Sequence, residues 1–410
     1  MDSPVPPRSP PESHRTEPLS NVITDQKRQA NIEACPNWVS AEWTCDFRRQ
    51  SIRLIQMEGN STTSRPTNRS IALQLWLVGA IVPISMILLN YSGIFDFGAL
   101  WVAGKLALSG NMRIYDADVV RALAQQFTGG GESKFPYPPH ALFFFMPFAM
   151  LPYKVAYVAW NVTTALFFCV AARPYLPKGF HPILPILTPA ALTCFHFGQT
   201  GMLLGGLWLF AFRGSWASVA LLTFKPHLGV LSVLALRGRR AFVWATLAVC
   251  ALVGLSLLAF GQQILVDFFH HSIGHVGEFG HRKSWLRAGV SPGIGLGLIG
   301  WIPFAVAAGL ILARNINAFS AATASLLISP YGFNYDMVAA CLGFGLLVFA
   351  HWDRMPVHHR IATMLGFLVP VLVKAGAWWM PPILLWALWV QVKYPAFGPQ
   401  FGRETSRSTR

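Results

Sequence analysis

The chain is 410 residues long, 53% hydrophobic and only 12% charged, with 30 Phe and 15 Trp. A soluble domain carries about 25% charged residues, so this composition excludes an ordinary soluble globular protein and points to the membrane. The net charge of +15 suggests nucleic acid, but residues 1–71 hold nine basic and eight acidic residues, so the excess lies among the apolar runs and no nucleic-acid partner is expected.

In chain order, residues 1–70 are rich in Pro, Ser, Arg and Glu without sustained periodicity, and read as a disordered cytoplasmic tail. Asn60-Ser61-Thr62 and Asn68-Arg69-Ser70 match the glycosylation acceptor pattern, which has no meaning on the cytoplasmic side. The first apolar run starts near Ile71, unlike a cleavable signal peptide, and is expected to stay in the membrane as a span.

Apolar runs of helical length follow at 72–92, 140–151, 153–172, 182–195, 200–212, 215–236, 241–260, 292–313, 316–330, 335–350, 361–376 and 378–392. They are continuous, not alternating, so the fold class is an all-α polytopic membrane protein with about 10–12 transmembrane helices, not a β-barrel. Several are too short to cross a core of about 30 Å unaided. The runs 182–195 and 200–212, split by His196-Phe197-Gly198-Gln199, read either as spans or as half-helices that enter and leave on one face. Broken helices of that kind line a protein or water cavity.

With the N-terminus cytoplasmic, Lys154, Arg237-Gly238-Arg239-Arg240, Arg314, the Arg354–Arg360 loop and the tail 396–410 all fall on the cytoplasmic side. This is the positive-inside pattern of an inner (plasma) membrane protein, and it is suited to anionic lipid headgroups. The loop 91–139 falls outside, with four basic and four acidic residues. There Phe97, Leu100, Trp101, Gly104 and Leu108 recur at helical spacing, which predicts an amphipathic helix in the interface plane. Ser109-Gly110-Asn111 ends it, a second short helix follows Asp116, and Gly129-Gly130-Gly131 is a break.

Cys169, Cys194, Cys250 and Cys341 lie inside apolar runs and Cys35 and Cys45 in the tail, with no C-x-x-C spacing, so the four read as buried small hydrophobes. Acidic residues are scarce enough to enumerate. Beyond the tail the outer candidates are Asp96, Asp116, Asp118, Glu132, Asp267, Glu278 and Asp336. Asp96 ranks first, because a carboxylate at the membrane boundary is costly unless it has work to do; its plain alternative is to cap the following helix. Asp116 and Asp118 read as helix-start residues. Asp336 either caps the helix after Ser329-Pro330-Tyr331-Gly332 or faces the same cavity as Asp96. Lys225, in Phe224-Lys225-Pro226-His227, sits within an apolar run that Pro226 should kink, and either snorkels or meets an anion.

The loop 261–291 carries His270, His271, His275, His281, Arg282, Lys283 and Arg287. No acidic or cysteine partner has ligand spacing, so nothing in the sequence requires a metal, and no cofactor is expected. Arg282 and Arg287 are suited to gripping phosphate; a plain solvated loop is the alternative.

The order Asp96-Phe97-x₃-Trp101-x-Ala103-Gly104-x₃-Leu108-x-Gly110-x₄-Tyr115, then Tyr137-Pro138-Pro139, Pro147, Leu151-Pro152 and Trp160, resembles glycosyltransferase family 87. Gly198-Gln199, Lys225-Pro226 and Ser329-Pro330 with Tyr335-Asp336 add to the likeness, which covers about residues 72–350. Trp101, where many members have a smaller aromatic, and the long tail depart from the pattern. The resemblance implies a GT-C-type bundle over residues 71–395, flanked by two cytoplasmic tails. It further implies transfer of a hexose, mannose in characterised members, from a polyprenyl-phosphate-linked donor to a glycan or glycolipid acceptor on the extracytoplasmic face. Asp96 would be the general base. Tyr137, Gln199, Lys225, His227, Arg282, Arg287 and Asp336 would bind substrate, the cations among them meeting the leaving phosphate. The rival readings are a secondary transporter or lipid flippase, and a non-catalytic partner in glycan assembly.

Overall fold

A computed structural model describes residues 66–89, 95–128, 134–177, 180–276 and 286–394. The tails, apart from residues 66–70, and Arg282 with its neighbours His281 and Lys283 lie outside the described residues. Helix α1 (Pro66–Leu89) begins within the stretch expected to be tail, and its 24 residues give about 36 Å of length. The next helices are α2 (Phe95–Leu108), α3 (Ala117–Thr128), α4 (Leu142–Ala149) and α5 (Tyr153–Ala172). Pro189–Phe197 (α6) and Gly201–Ala211 (α7) form one helical hairpin; Trp216–Leu221 (α8) and the single turn Pro226–Gly229 (α9) flank a second break. Long helices α10 (Gly238–Phe260) and α12 (Pro292–Leu312) follow, separated by α11 (Gln263–Val276). The chain continues through α13 (Ala318–Ile328), α14 (Val338–His351), α15 (Val357–Leu372) and α16 (Met380–Lys393).

Among the described residues the β pairing is a single bridge between Gly289 and Phe333. Five segments, based on α5, α10, α12, α14 and α15, are long and apolar enough to cross a membrane, and several shorter apolar helices pack among them. Every residue of α14 from Val338 to Phe349 is buried, so α14 is the central post. The periphery is the reverse: Leu258 of α10 and Ile299 of α12 are 86% and 88% exposed, an apolar surface of the kind a membrane-spanning helix turns to lipid.

The helices share two ends. At one end, Phe97 packs against Tyr153 and Tyr157, Phe143 stacks on Phe260, and Tyr115 meets Phe268. At the other, Arg69 lies over Phe349, Arg314 over Trp389, and Trp208 donates to the Ala318 carbonyl at 2.7 Å. That second end carries Arg213, Arg237, Arg239, Arg240, Arg354 and Lys393 as well, with Asp353 beside them.

Three expectations change. The run 140–151 is not a span. It folds as the eight-residue α4, which runs along α2, with Phe145 and Ala149 against Gly104. Leu142, Phe145 and Ala149 are buried in protein, and Phe143, Phe144, Met146 and Phe148 pack partly against the core. As a result Tyr153 and Lys154 start α5 at the end that holds Asp96, so Lys154 leaves the basic group in which parity placed it. Helix α2 does form where an amphipathic interface helix was expected, but it is enclosed: Phe97 to Gly104, Leu106 and Ala107 are all buried. The amphipathic helix is α3, with Val120 and Ala124 inward and Asp118 exposed.

Candidate functional site

Asp96 is the second residue of α2, and Phe97 fixes its place, with its ring 5.9 Å from Tyr153, 5.8 Å from Tyr157 and 6.4 Å from Trp160. Onto this aromatic seat comes the turn between α6 and α7. Gly198 closes α6 with φ +63°, and a β-carbon there would lie 2.7 Å from the Phe97 β-carbon and 3.0 Å from the Tyr157 ring. Both the left-handed backbone and the close approach require glycine. At Gly201 a β-carbon would land on the Tyr335 carbonyl oxygen, so the hairpin tip is clamped from both sides.

The clamp presents Gln199, whose Nε2 donates to Asp96 Oδ2 at 3.0 Å. Trp160 Nε1 and the Cys194 thiol both donate to the Gln199 carbonyl, at 3.3 and 3.1 Å. Among the described residues Asp96 does not accept from the backbone of its own helix; its partner is Gln199. Asp96 is partly exposed, yet the protein around its carboxyl holds the group above the usual carboxylate range, a rise that the Gln199 bond opposes.

Tyr137 joins this pair to a second one. Its hydroxyl donates to Gln199 Oε1 at 3.3 Å and lies 3.1 Å from Thr200 Oγ1, while Tyr115 donates to its carbonyl at 2.7 Å. On its ring face sits Lys225 Nζ, 5.5 Å from the Tyr137 centroid and 5.3 Å from that of Tyr335. Lys225 occupies the break between Leu222–Phe224 and α9, with φ −134° and ψ 69°, because Pro226 disfavours helical backbone at the preceding residue. Its ammonium donates to Asp336 Oδ1 at 2.6 Å, and both residues are nearly sealed, 5% and 6% exposed. Asp336 Oδ2 also accepts from Phe333 N at 3.1 Å, so Asp336 both caps its turn and holds Lys225.

Of the remaining expected residues, His227 borders the Lys225–Asp336 pair and Arg287 lies in a neighbouring segment. His227 lies against Tyr331, ring centroids 3.8 Å apart, and its buried Nε2 has no partner among the described residues. Arg287 is exposed, in a segment tied to the Asp336 loop by Val290 N to the Gly332 carbonyl and Asn334 N to the Ala288 carbonyl, 2.8 and 2.9 Å. Its charge acts on Lys374, which in turn acts on His196. Lys374 and Thr200 were not anticipated, and Tyr335 entered only as part of the Tyr335-Asp336 motif. A lysine near the end of an apolar run and a threonine beside Gln199 were the available signals. Asp116 accepts from the Asp118 and Val119 amides at 3.1 and 3.2 Å, the helix-start role expected of it.

Compared with known proteins, the chain matches the profile of glycosyltransferase family 87 over residues 135–373. The chain belongs to glycosyltransferase family 87. It is therefore a membrane-embedded glycosyltransferase. The family region holds Tyr137, Gln199, Lys225, His227, Arg287 and Asp336; Asp96 and the α2 block that carried much of the resemblance precede it. The Gln199 to Asp96 hydrogen bond ties that preceding helix to the family region. No curated protein and no solved structure matches the chain significantly.

Proposed function

We propose that this family 87 glycosyltransferase moves a hexose, mannose by family resemblance, from a polyprenyl-phosphate donor to an acceptor hydroxyl, with Asp96 as general base. The observation that carries the reading is the Asp96 carboxylate, partly exposed and held by Gln199 at the end of the bundle where the polar side chains converge. A base must sit within hydrogen-bond reach of the proton it removes and keep a lone pair for it. Asp96 Oδ1 is not used by any described partner.

In the step, the acceptor O–H proton passes to Asp96 as the acceptor oxygen bonds the anomeric carbon. The bond from that carbon to the phosphate oxygen breaks, and its electron pair leaves with the phosphate. Attack opposite the leaving group inverts the anomeric centre. Gln199 acts as a positioning residue, since one amide hydrogen and its carbonyl are committed to Asp96 and Tyr137. Lys225 is committed to Asp336, so its charge is neutralised inside the protein. Arg287 and Lys374 are better suited to the negative charge that grows on the phosphate.

A lipid-linked donor delivers its headgroup at the membrane boundary, which fits a site at one end of a helical bundle. The cationic excess of the opposite end supports assigning that end to the cytoplasm and the site to the extracytoplasmic face of the plasma membrane. Pro66 and Tyr394, the outermost described residues, then both face the cytoplasm. The test is transfer by purified protein in liposomes, supplied with either a synthetic polyprenyl-phosphate hexose or the matching nucleotide sugar. Product from the lipid donor alone is expected; product from the nucleotide sugar alone would overturn the reading.

A further inference from the structure

We propose that a cavity at the site end, between the Arg113–Asp116 turn and α11, is a subsite for a neutral saccharide unit of the acceptor. The inference rests on the sugar-transfer reading and adds where the acceptor is held. The cavity has a volume of about 500 Å³ and is walled by Arg113, Tyr115, Asp116, Asp267, His270 and His271. That is within the range of about 300–1,000 Å³ typical of small-molecule sites.

Its charge argues against the anionic donor. Two carboxylates face one guanidinium, and that guanidinium is already forked onto Asp116 Oδ2 at 3.2 and 2.6 Å. A phosphate would meet net repulsion here, whereas the Arg287 and Lys374 charges lie elsewhere. A sugar asks for something different: acceptors and donors for its hydroxyls, and a flat face for its C–H side. Asp267 Oδ1 accepts from Gln263 at 2.9 Å, which leaves Oδ2 for a hydroxyl, and His270 is exposed on the same helix. The aromatic part of the wall is His271 with the buried Tyr115 behind it, ring centroids 5.7 Å apart.

The cavity also has a fixed relation to Asp96. Tyr115 lines it and donates to the Tyr137 carbonyl at 2.7 Å, and the far end of Tyr137 bonds Gln199, which holds Asp96. Tyr115, Tyr137 and Gln199 therefore link the cavity to the carboxylate. A saccharide in the cavity is thus a part of the acceptor remote from the hydroxyl that receives the transferred sugar.

The test is titration calorimetry of the full chain in lipid nanodiscs with neutral mannose mono-, di- and trisaccharides, each free and as an octyl glycoside. The proposal expects affinity to rise with saccharide length. It expects Asp267→Asn and His270→Ala each to weaken trisaccharide binding by about 10-fold, with inorganic phosphate failing to compete. His270 is exposed, so its variant should fold even if the Asp267 variant does not. A free trisaccharide that binds as well as its octyl form means the glycan alone is read; tighter binding of the octyl form, still lost in the variants, means a lipid-borne glycan is read. Wild-type affinity in both variants, displacement by phosphate, or no binding of any saccharide would overturn the subsite. Asp96→Asn keeps every residue that lines the cavity, so the gain in affinity with saccharide length should persist in it. If that variant also kept its transfer activity, the base assignment would fall and the subsite would stand.

Discussion

Gln199 Nε2 donates to Asp96 Oδ2 at 3.0 Å, across 103 residues of chain. That bond gives the carboxylate an orientation, and it brings the tip of a broken-helix hairpin into the same candidate site.

The bond predicts a pH effect with a definite sign. It favours the charged carboxylate, so it lowers a value that burial has raised. Transfer by a deprotonated base is lost as pH falls through that raised value. Gln199→Ala should move the acid limb of the kcat/KM profile to higher pH, and an acid limb moved to lower pH would contradict the account.

Gly198→Ala should cost both fold and activity. The left-handed backbone costs an L-residue about 1–2 kcal/mol, and the new methyl collides with Phe97 and Tyr157. A lower melting temperature and transfer reduced at least about 10-fold are expected, because a misplaced Gln199 no longer orients the base. Gly254→Ala in α10, with open space around it, is the control and should leave both unchanged.

Lys225→Met should destabilise the protein by about 3–5 kcal/mol by stranding the Asp336 carboxylate. The double variant Lys225→Met with Asp336→Leu should recover much of that loss, since it removes both charges together. Thermal unfolding in detergent reads the difference. A double variant no more stable than the single one would show that the pair is not the unit described here.

Lys154→Cys and Arg239→Cys should be labelled from opposite sides of the membrane by an impermeant maleimide in intact cells. The shared packing of Phe97 with Tyr153 puts Lys154 at the site end, and Arg239 opens α10 at the other. Labelling of both from one side would overturn the two-ended arrangement.

Much of the architecture was legible in the residues. Asp96 stood out through scarcity and position, Gly198-Gln199 marked a break between half-length runs, and Pro226 marked another. What was not legible depends on contacts between distant segments. Lys225 and Asp336 are 111 residues apart, and nothing local says that each is the other's counter-ion. The run 142–149 is as apolar as any span, because burial between α2 and α5 asks for the same side chains as burial in lipid. Likewise α2 looks amphipathic at its large residues, but Ala99, Ala103 and Ala107 let neighbouring helices close over its other faces.

The central claim is that the Asp96 carboxylate removes the acceptor proton. Its most direct test is single-turnover hexose transfer from a polyprenyl-phosphate donor by Asp96→Asn, at matched protein level and unchanged melting temperature. The account predicts a fall of about 100-fold or more in the rate of the chemical step. Transfer at the wild-type rate would contradict it.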